Sequence, residues 1–200
     1  MSIKKTLYFA TGNKGKIESL KNYFKSLNYE INIQAIDLDL IEPQENSVKE
    51  VSITKAKQAF EKLKKPVIVN DGGVCIEALN GFPGVYTKYI CHTIGAKGIL
   101  KLLENEKNRN AYFQSTTSFV NEKGEIFNFE NQISKKGVIL HKEDNTPCPN
   151  AWSEIWKIYG IPDLNKGLVS LTNKELDNYF GHKDKESMRL FIEWYIEQNL

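Results

Sequence analysis

The chain has 200 residues, 40% of them hydrophobic, which is enough to bury a sizeable core. Its 27 basic and 25 acidic side chains leave a formal charge of +2, with arginine only at 109 and 189, so the electrostatic footprint of a nucleic-acid polymer binder is excluded and a small charged ligand fits better. Cys75, Cys91 and Cys148 are odd in number and show no Cys-x-x-Cys spacing, against a disulfide framework or structural zinc; no run nears the roughly 20 apolar residues of a membrane span, so a soluble cytoplasmic protein with reduced thiols is expected.

Thr6 to Ala10 reads as a short buried strand. Behind the glycine-containing turn from Gly12 to Gly15, Ile17, Leu20, Phe24 and Leu27 recur at helical spacing. Ile31 to Ile36 alternates like a second strand, and an acidic loop through Pro43 leads to a second helix with the stripe Ile53, Ala56, Phe60 and Leu63. Ser47 and Glu50 make a capping box for its start. Val67 to Val69 predicts a strand ending at Asn70-Asp71-Gly72-Gly73, and Asn80 to Gly84 is dense in turn formers. Gly98 to Leu103 predicts a short helix. Ala111 to Val120 and Glu125 to Ile133 flank Asn121-Glu122-Lys123-Gly124 as a hairpin, and a last helix carries Met188, Phe191, Ile192 and Tyr195 on one face. Strands interleaved with helices, plus a hairpin, predict an α/β fold with a mixed sheet; no repeat, linker or boundary interrupts it, so residues 1–200 read as a single domain.

Two stretches can carry chemistry. In Thr11-Gly12-Asn13-Lys14-Gly15-Lys16 a strand ends, glycines expose N–H groups and a helix begins, which makes a phosphate cradle or an ordinary strand-to-helix turn with solvated lysines. A Walker A loop is excluded, because Ile17 rather than Ser or Thr follows Lys16. Glu50 and Asp71, with Lys55 close along the helix, supply the carboxylate oxygens that Mg²⁺ prefers beside phosphate. Singly, Glu50 also reads as a cap, Lys55 as a solvated lysine and Asp71 as a turn residue. Cys91-His92 is no catalytic pair, since sequence neighbours need not face each other.

In their order these segments resemble the inosine triphosphate pyrophosphatases, the non-canonical purine NTP pyrophosphatases or XTP/dITP diphosphatases. Thr11 to Lys16 matches T/S-x-N-x-x-K; Ser52 to Lys55 falls on a lysine-bearing helix; Asp71-Gly72-Gly73 falls on an acidic strand end. Ala78-Leu79-Asn80-Gly81-Phe82-Pro83-Gly84-Val85-Tyr86 is close to A-L-x-G-x-P-G-x-Y. The resemblance spans roughly Thr6 to Tyr195 and is strongest before Tyr89. It implies two lobes around a nucleotide cleft, a homodimer, and Mg²⁺-dependent cleavage of a nucleoside triphosphate into monophosphate and pyrophosphate. Thr11, Asn13 and Lys16 would hold the triphosphate, Lys55 would neutralise it, and Glu50 with Asp71 would place the metal; Asp71, Lys16 and Lys55 form the catalytic set. Trp152, Ser153, His182 and Lys183 would contact the base.

Asn70 stands where the family has a first acid, and Gly72 where it has Ser or Thr. The family's F-G-W/Y-D-P aligns with Asn150-Ala151-Trp152-Ser153-Glu154, its S-H-R with Gly181-His182-Lys183, and a preceding lysine with Asp177. Lysine lacks arginine's planar fork and serine is shorter than aspartate, so a relaxed base preference is expected. A nucleotide-binding protein of the same fold with little turnover is the competing expectation.

Overall fold

The computed structural model describes residues 5–131, 136–149, 151, 153–162, 164–179 and 186–198. They divide into two compact units threaded by the same chain: Met1–Asp71, Ser115–Gln132 and Asp184–Leu200 form the first, Gly72–Gln114 and Ile133–Lys183 the second. This interleaving is why no linker is legible in the sequence.

In the first unit β1 (Thr6–Ala10) pairs in parallel with β2 (Asn32–Ile36) and with β3 (Val67–Ile76). Alternation sends Leu7 and Phe9 to one face, where they pack with Leu20 and Phe24 of α1 (Lys14–Ser26) and with Phe191 and Ile192 of α6 (Ser187–Glu197). Ala10, Val67 and Val69 turn to the other face, against Ala56 and Ala59 of α2 (Val48–Leu63). β4 (Asn110–Val120) and β5 (Ile126–Glu130) form the expected antiparallel hairpin, closed by Asn121, whose Oδ1 accepts from Lys123 N and Glu125 N, and by Gly124 at φ +80. Parallel and antiparallel pairings together make the sheet mixed.

In the second unit β4 pairs antiparallel with β6 (Gly137–Ile139), and β6 with β7 (Tyr159–Gly160). α3 (Thr87–Thr93), α4 (Gly95–Leu102) and α5 (Asn173–Tyr179) complete it, around a core of Val74, Ile76, Ile99, Leu103, Ile139, Ile158 and Tyr159. Buried Arg109 ties this core together by donating to the carbonyls of Leu103, Ile139 and Leu140.

Three local expectations are corrected. α1 starts at Lys14, inside the anticipated turn, because Asn13 caps it. The buried stripe of α2 is Val48, Val51, Ser52, Ala56 and Ala59 rather than one led by Ile53; buried Ser52 is satisfied by Ser118 Oγ at 2.8 Å, so a polar residue sits on the sheet-facing side. β3 does not stop at Asn70 but runs on to Ile76, since Gly72 and Gly73 continue the strand instead of turning it.

Candidate active site

The loop leaving β1 is organised by its own polar side chains. Thr11 N donates to Ile36 O, Asn13 N donates to Thr11 Oγ1 at 3.1 Å, and Asn13 Oδ1 accepts from Lys16 N at 3.1 Å. Thr11 and Asn13 therefore build the N-terminus of α1, leaving its first amides at a positive helix end. Lys16 reaches from this turn to the carbonyl of Asn70 on β3, at 2.6 Å. Lys16 and the 70–71 stretch are thus adjacent although 54 residues apart.

Lys55 is the centre of the polar cluster. Its Nζ stands 2.7 Å from Asp71 Oδ2 and 3.1 Å from Glu42 Oε2, with the Lys55 and Asp71 side chains each 17% exposed. Burial pulls the Lys55 pKa down, but Asp71 and then Glu42 outweigh it and hold the ammonium above its ordinary value. Asp71 Oδ2 is buried and has no aligned hydrogen-bond donor, so its contact with Lys55 is an ion pair rather than a well-directed hydrogen bond.

Glu42 was not singled out from sequence, and Glu50 was. Glu50 is exposed on the first turn of α2, where Ser47 Oγ accepts from Glu50 N at 3.2 Å and donates to Glu50 Oε2 at 2.9 Å. Its carboxylate serves the capping box. Glu42 reaches Lys55 because Gln58, one turn further along α2, pins the acidic loop through both backbone groups of Ile41, at 2.8 and 3.0 Å. A lone acid before Pro43 carries no sequence signal for this contact; the shared helical face of Lys55 and Gln58 is the only hint.

Asn70 points away from Asp71, as successive strand residues must. It is buried, and its Nδ2 lies 3.0 Å from Thr117 Oγ1, 3.1 Å from Ser187 Oγ and 3.3 Å from Thr116 O. An amide suits a position facing the Thr116 carbonyl, where a carboxylate would set acceptor against acceptor.

Glu42 and Asp71 are hard oxygen donors converging on one cation, the Lys55 ammonium, and Asp71 Oδ2 is buried with that ion pair as its contact. No group of three or more His, Cys, Asp or Glu capable of holding a metal occurs among the described residues. The donor set of two carboxylates, Glu42 and Asp71, fits a hard divalent cation completed by phosphate oxygens and water.

In the second unit the Ala78–Tyr86 segment folds back on the end of β3. Ile76 N donates to Phe82 O, Gly81 N donates to Ile76 O, and Cys75 bridges Pro83. Gly73 touches Gly84 so closely that the two motifs form one packed feature. Ser153 caps a short 3-10 turn over Glu154–Lys157, accepting from Ile155 N at 3.3 Å, with Cys91 Sγ 3.4 Å from its hydroxyl. Trp152, His182 and Lys183 lie outside the described residues.

The sequence profile of the Ham1 family matches residues 7–147. The chain is 45% identical over 187 residues to the dITP/XTP pyrophosphatase of Methanopyrus kandleri, covering 94% of each, and 38% identical over 195 residues to that of Thermococcus kodakarensis, covering 97% of this chain and 98% of that one. Its fold is shared by a solved HAM1 protein from Coxiella burnetii (TM-score 0.79, 18% identity, 96% of this chain and 99% of that one) and by Staphylococcus aureus Ham1 (TM-score 0.75, 23% identity, 98% and 100%). Motif order, fold and likeness along nearly the whole length agree: the chain belongs to the Ham1 family, the inosine triphosphate pyrophosphatases that its motifs resemble.

Proposed function

We propose that this chain is a nucleoside triphosphate pyrophosphohydrolase that converts non-canonical purine nucleotides and water into the nucleoside monophosphate and pyrophosphate. The observation that carries the reading is the cluster of Lys16, Lys55, Asp71 and Glu42 beside the capped start of α1: two cations and a helix N-terminus for a polyanion, two carboxylates for its counter-cation. The names of the relatives, dITP/XTP pyrophosphatases, agree with it.

Thr11 and Asn13 hold the α1 amides toward the phosphates, and Lys16 and Lys55 neutralise the charge that builds as the leaving pyrophosphate departs. Asp71 and Glu42 would hold Mg²⁺, which would supply Lewis-acid polarisation of the phosphoryl oxygens. Asp71 is the remaining acid on β3 beside the cluster, and its carboxylate orients the attacking water and accepts its proton; Asn70, an amide donating to Thr116, Thr117 and Ser187, accepts none. Base selection falls to Trp152, Ser153, His182 and Lys183, and the departures from the family pattern at Ser153 and Lys183 relax the preference for inosine and xanthosine. The family resemblance also carries a cytoplasmic homodimer, which native mass measurement checks.

The test is turnover with Mg²⁺ across inosine, xanthosine, guanosine and adenosine triphosphates, repeated with a chelator. Saturable, Mg²⁺-dependent hydrolysis supports the enzyme. Tight binding with no turnover on any nucleotide supports the binding protein instead.

A further inference from the structure

Among the described residues, two buried side-chain oxygens lack an aligned hydrogen-bond partner: Asp71 Oδ2 and Thr116 Oγ1. They lie on neighbouring strands, β3 and β4, and face the same way. Asn70 and Thr117 meet on the α6 side, with Ser187, so alternation turns Asp71 and Thr116 to the α2 side. There Lys55 meets Asp71, while Ser52, one turn earlier on α2, donates to the Thr116 carbonyl and pairs with Ser118 Oγ. Thr116 is 1% exposed, so bulk water does not satisfy its hydroxyl.

The two oxygens are complementary. An ionised carboxylate only accepts, whereas a hydroxyl brings a donor. A buried hydroxyl without a partner is costly, and such groups persist where a site uses them. Lys55 holds Asp71 in this structure, yet Lys55 is also the cation that the triphosphate draws.

We propose that Thr116 is a positioning residue for Asp71: its hydroxyl donates to the Asp71 carboxylate when Lys55 swings to the triphosphate, so that Asp71 keeps its aim after losing its ammonium partner. The proposal rests on the assignment of Asp71 and Lys55 made above. It explains why the α2 face of β4 carries a hydroxyl at this depth, where valine would fill the same space without a polar group to satisfy.

Thr116→Val removes the hydroxyl at nearly constant volume, and Thr116→Ser keeps it. The readouts are kcat and KM on xanthosine triphosphate with Mg²⁺, and thermal unfolding without nucleotide. Thr116→Val is expected to melt at or above the wild-type temperature, to keep KM within about twofold, and to lose about tenfold or more in kcat, the scale of one hydrogen bond to a charged group. Thr116→Ser recovers most of that loss. Wild-type kcat in Thr116→Val overturns the proposal, as does a loss of activity that follows a loss of thermal stability and is not rescued by serine. Asp71→Asn separates the two levels: full activity there defeats the assignment of Asp71 itself, whereas an inactive Asp71→Asn beside a fully active Thr116→Val defeats only the role of Thr116.

Discussion

Gly73→Ala tests the packing that joins β3 to the turn after it. A Cβ at this position falls 1.9 Å from the Gly84 carbonyl oxygen, 2.7 Å from the Gly84 carbonyl carbon and 2.9 Å from Thr87 Oγ1. None of these atoms is free to step aside. Thr87 Oγ1 accepts from Val74 N at 2.9 Å and donates to Gly84 O at 2.7 Å, while Ile76 N holds Phe82 O at 3.2 Å. Restoring an ordinary carbon-to-oxygen separation of roughly 3.3 Å means moving backbone, not a side-chain tip. Overpacking of this kind costs about 3 kcal/mol, which at this chain length lowers the melting temperature by roughly 6–12 °C. Gly81→Ala is the control: φ is +89 there but no atom lies within 4 Å of the new Cβ, so only backbone strain of about 1–2 kcal/mol is added. Circular dichroism and calorimetric melts of the two variants give the comparison. If Gly73→Ala melts within about 2 °C of wild type, or no lower than Gly81→Ala, the close packing of Gly73 on Gly84 is wrong.

Asp71→Asn should leave the melting temperature near wild type and cut kcat by at least about 100-fold, since it removes the acid that faces Lys55; unchanged kinetics would take Asp71 out of the mechanism. Glu42→Gln should raise the Mg²⁺ concentration needed for half-maximal activity, whereas Glu50→Gln should alter only the cap, by about 1 kcal/mol or less. The reverse pattern in a metal titration would return the ligand role to Glu50. Burial opposes ionisation of Asp144, yet hydrogen bonds from Ser170, Thr146 and Gly167 N outweigh it and hold the carboxyl at about 2, below its ordinary 3.8. A depressed carboxyl stabilises the fold fully above its unfolded value and loses that contribution as pH falls through the folded one. The difference in melting temperature between wild type and Asp144→Asn should therefore shrink between about pH 4 and 2; a constant difference across that range would contradict the assignment.

Periodicity located what it could count. Met188, Phe191, Ile192 and Tyr195 all lie buried on α6, and a strand and a helix flank the Thr11 to Lys16 segment as anticipated, the helix beginning already at Lys14. Composition misled where a residue type has two uses. Gly72 and Gly73 resemble turn formers, yet both lie within extended β3, and Gly73 is there because the Gly84 backbone leaves no room for a Cβ. Ser52 lies outside the apolar stripe read from sequence and is buried, because β4 offers it the Thr116 carbonyl and the Ser118 hydroxyl. Lys16, Lys55 and Asp71 were legible as a set through the order of their motifs, but Glu42 was not, since its place depends on Gln58 fastening a loop that has no pattern of its own. α3, α5, β6 and β7 carry no signal for a related reason: helices of seven residues and strands of two or three are too short to show a period.

Product identity tests cleavage between the α- and β-phosphates most directly. Xanthosine triphosphate incubated with the protein and Mg²⁺ should yield xanthosine monophosphate and pyrophosphate in equal amounts from the first turnovers, resolved by ³¹P NMR or ion-exchange chromatography without added phosphatase. Xanthosine diphosphate with inorganic phosphate as the initial products would contradict it.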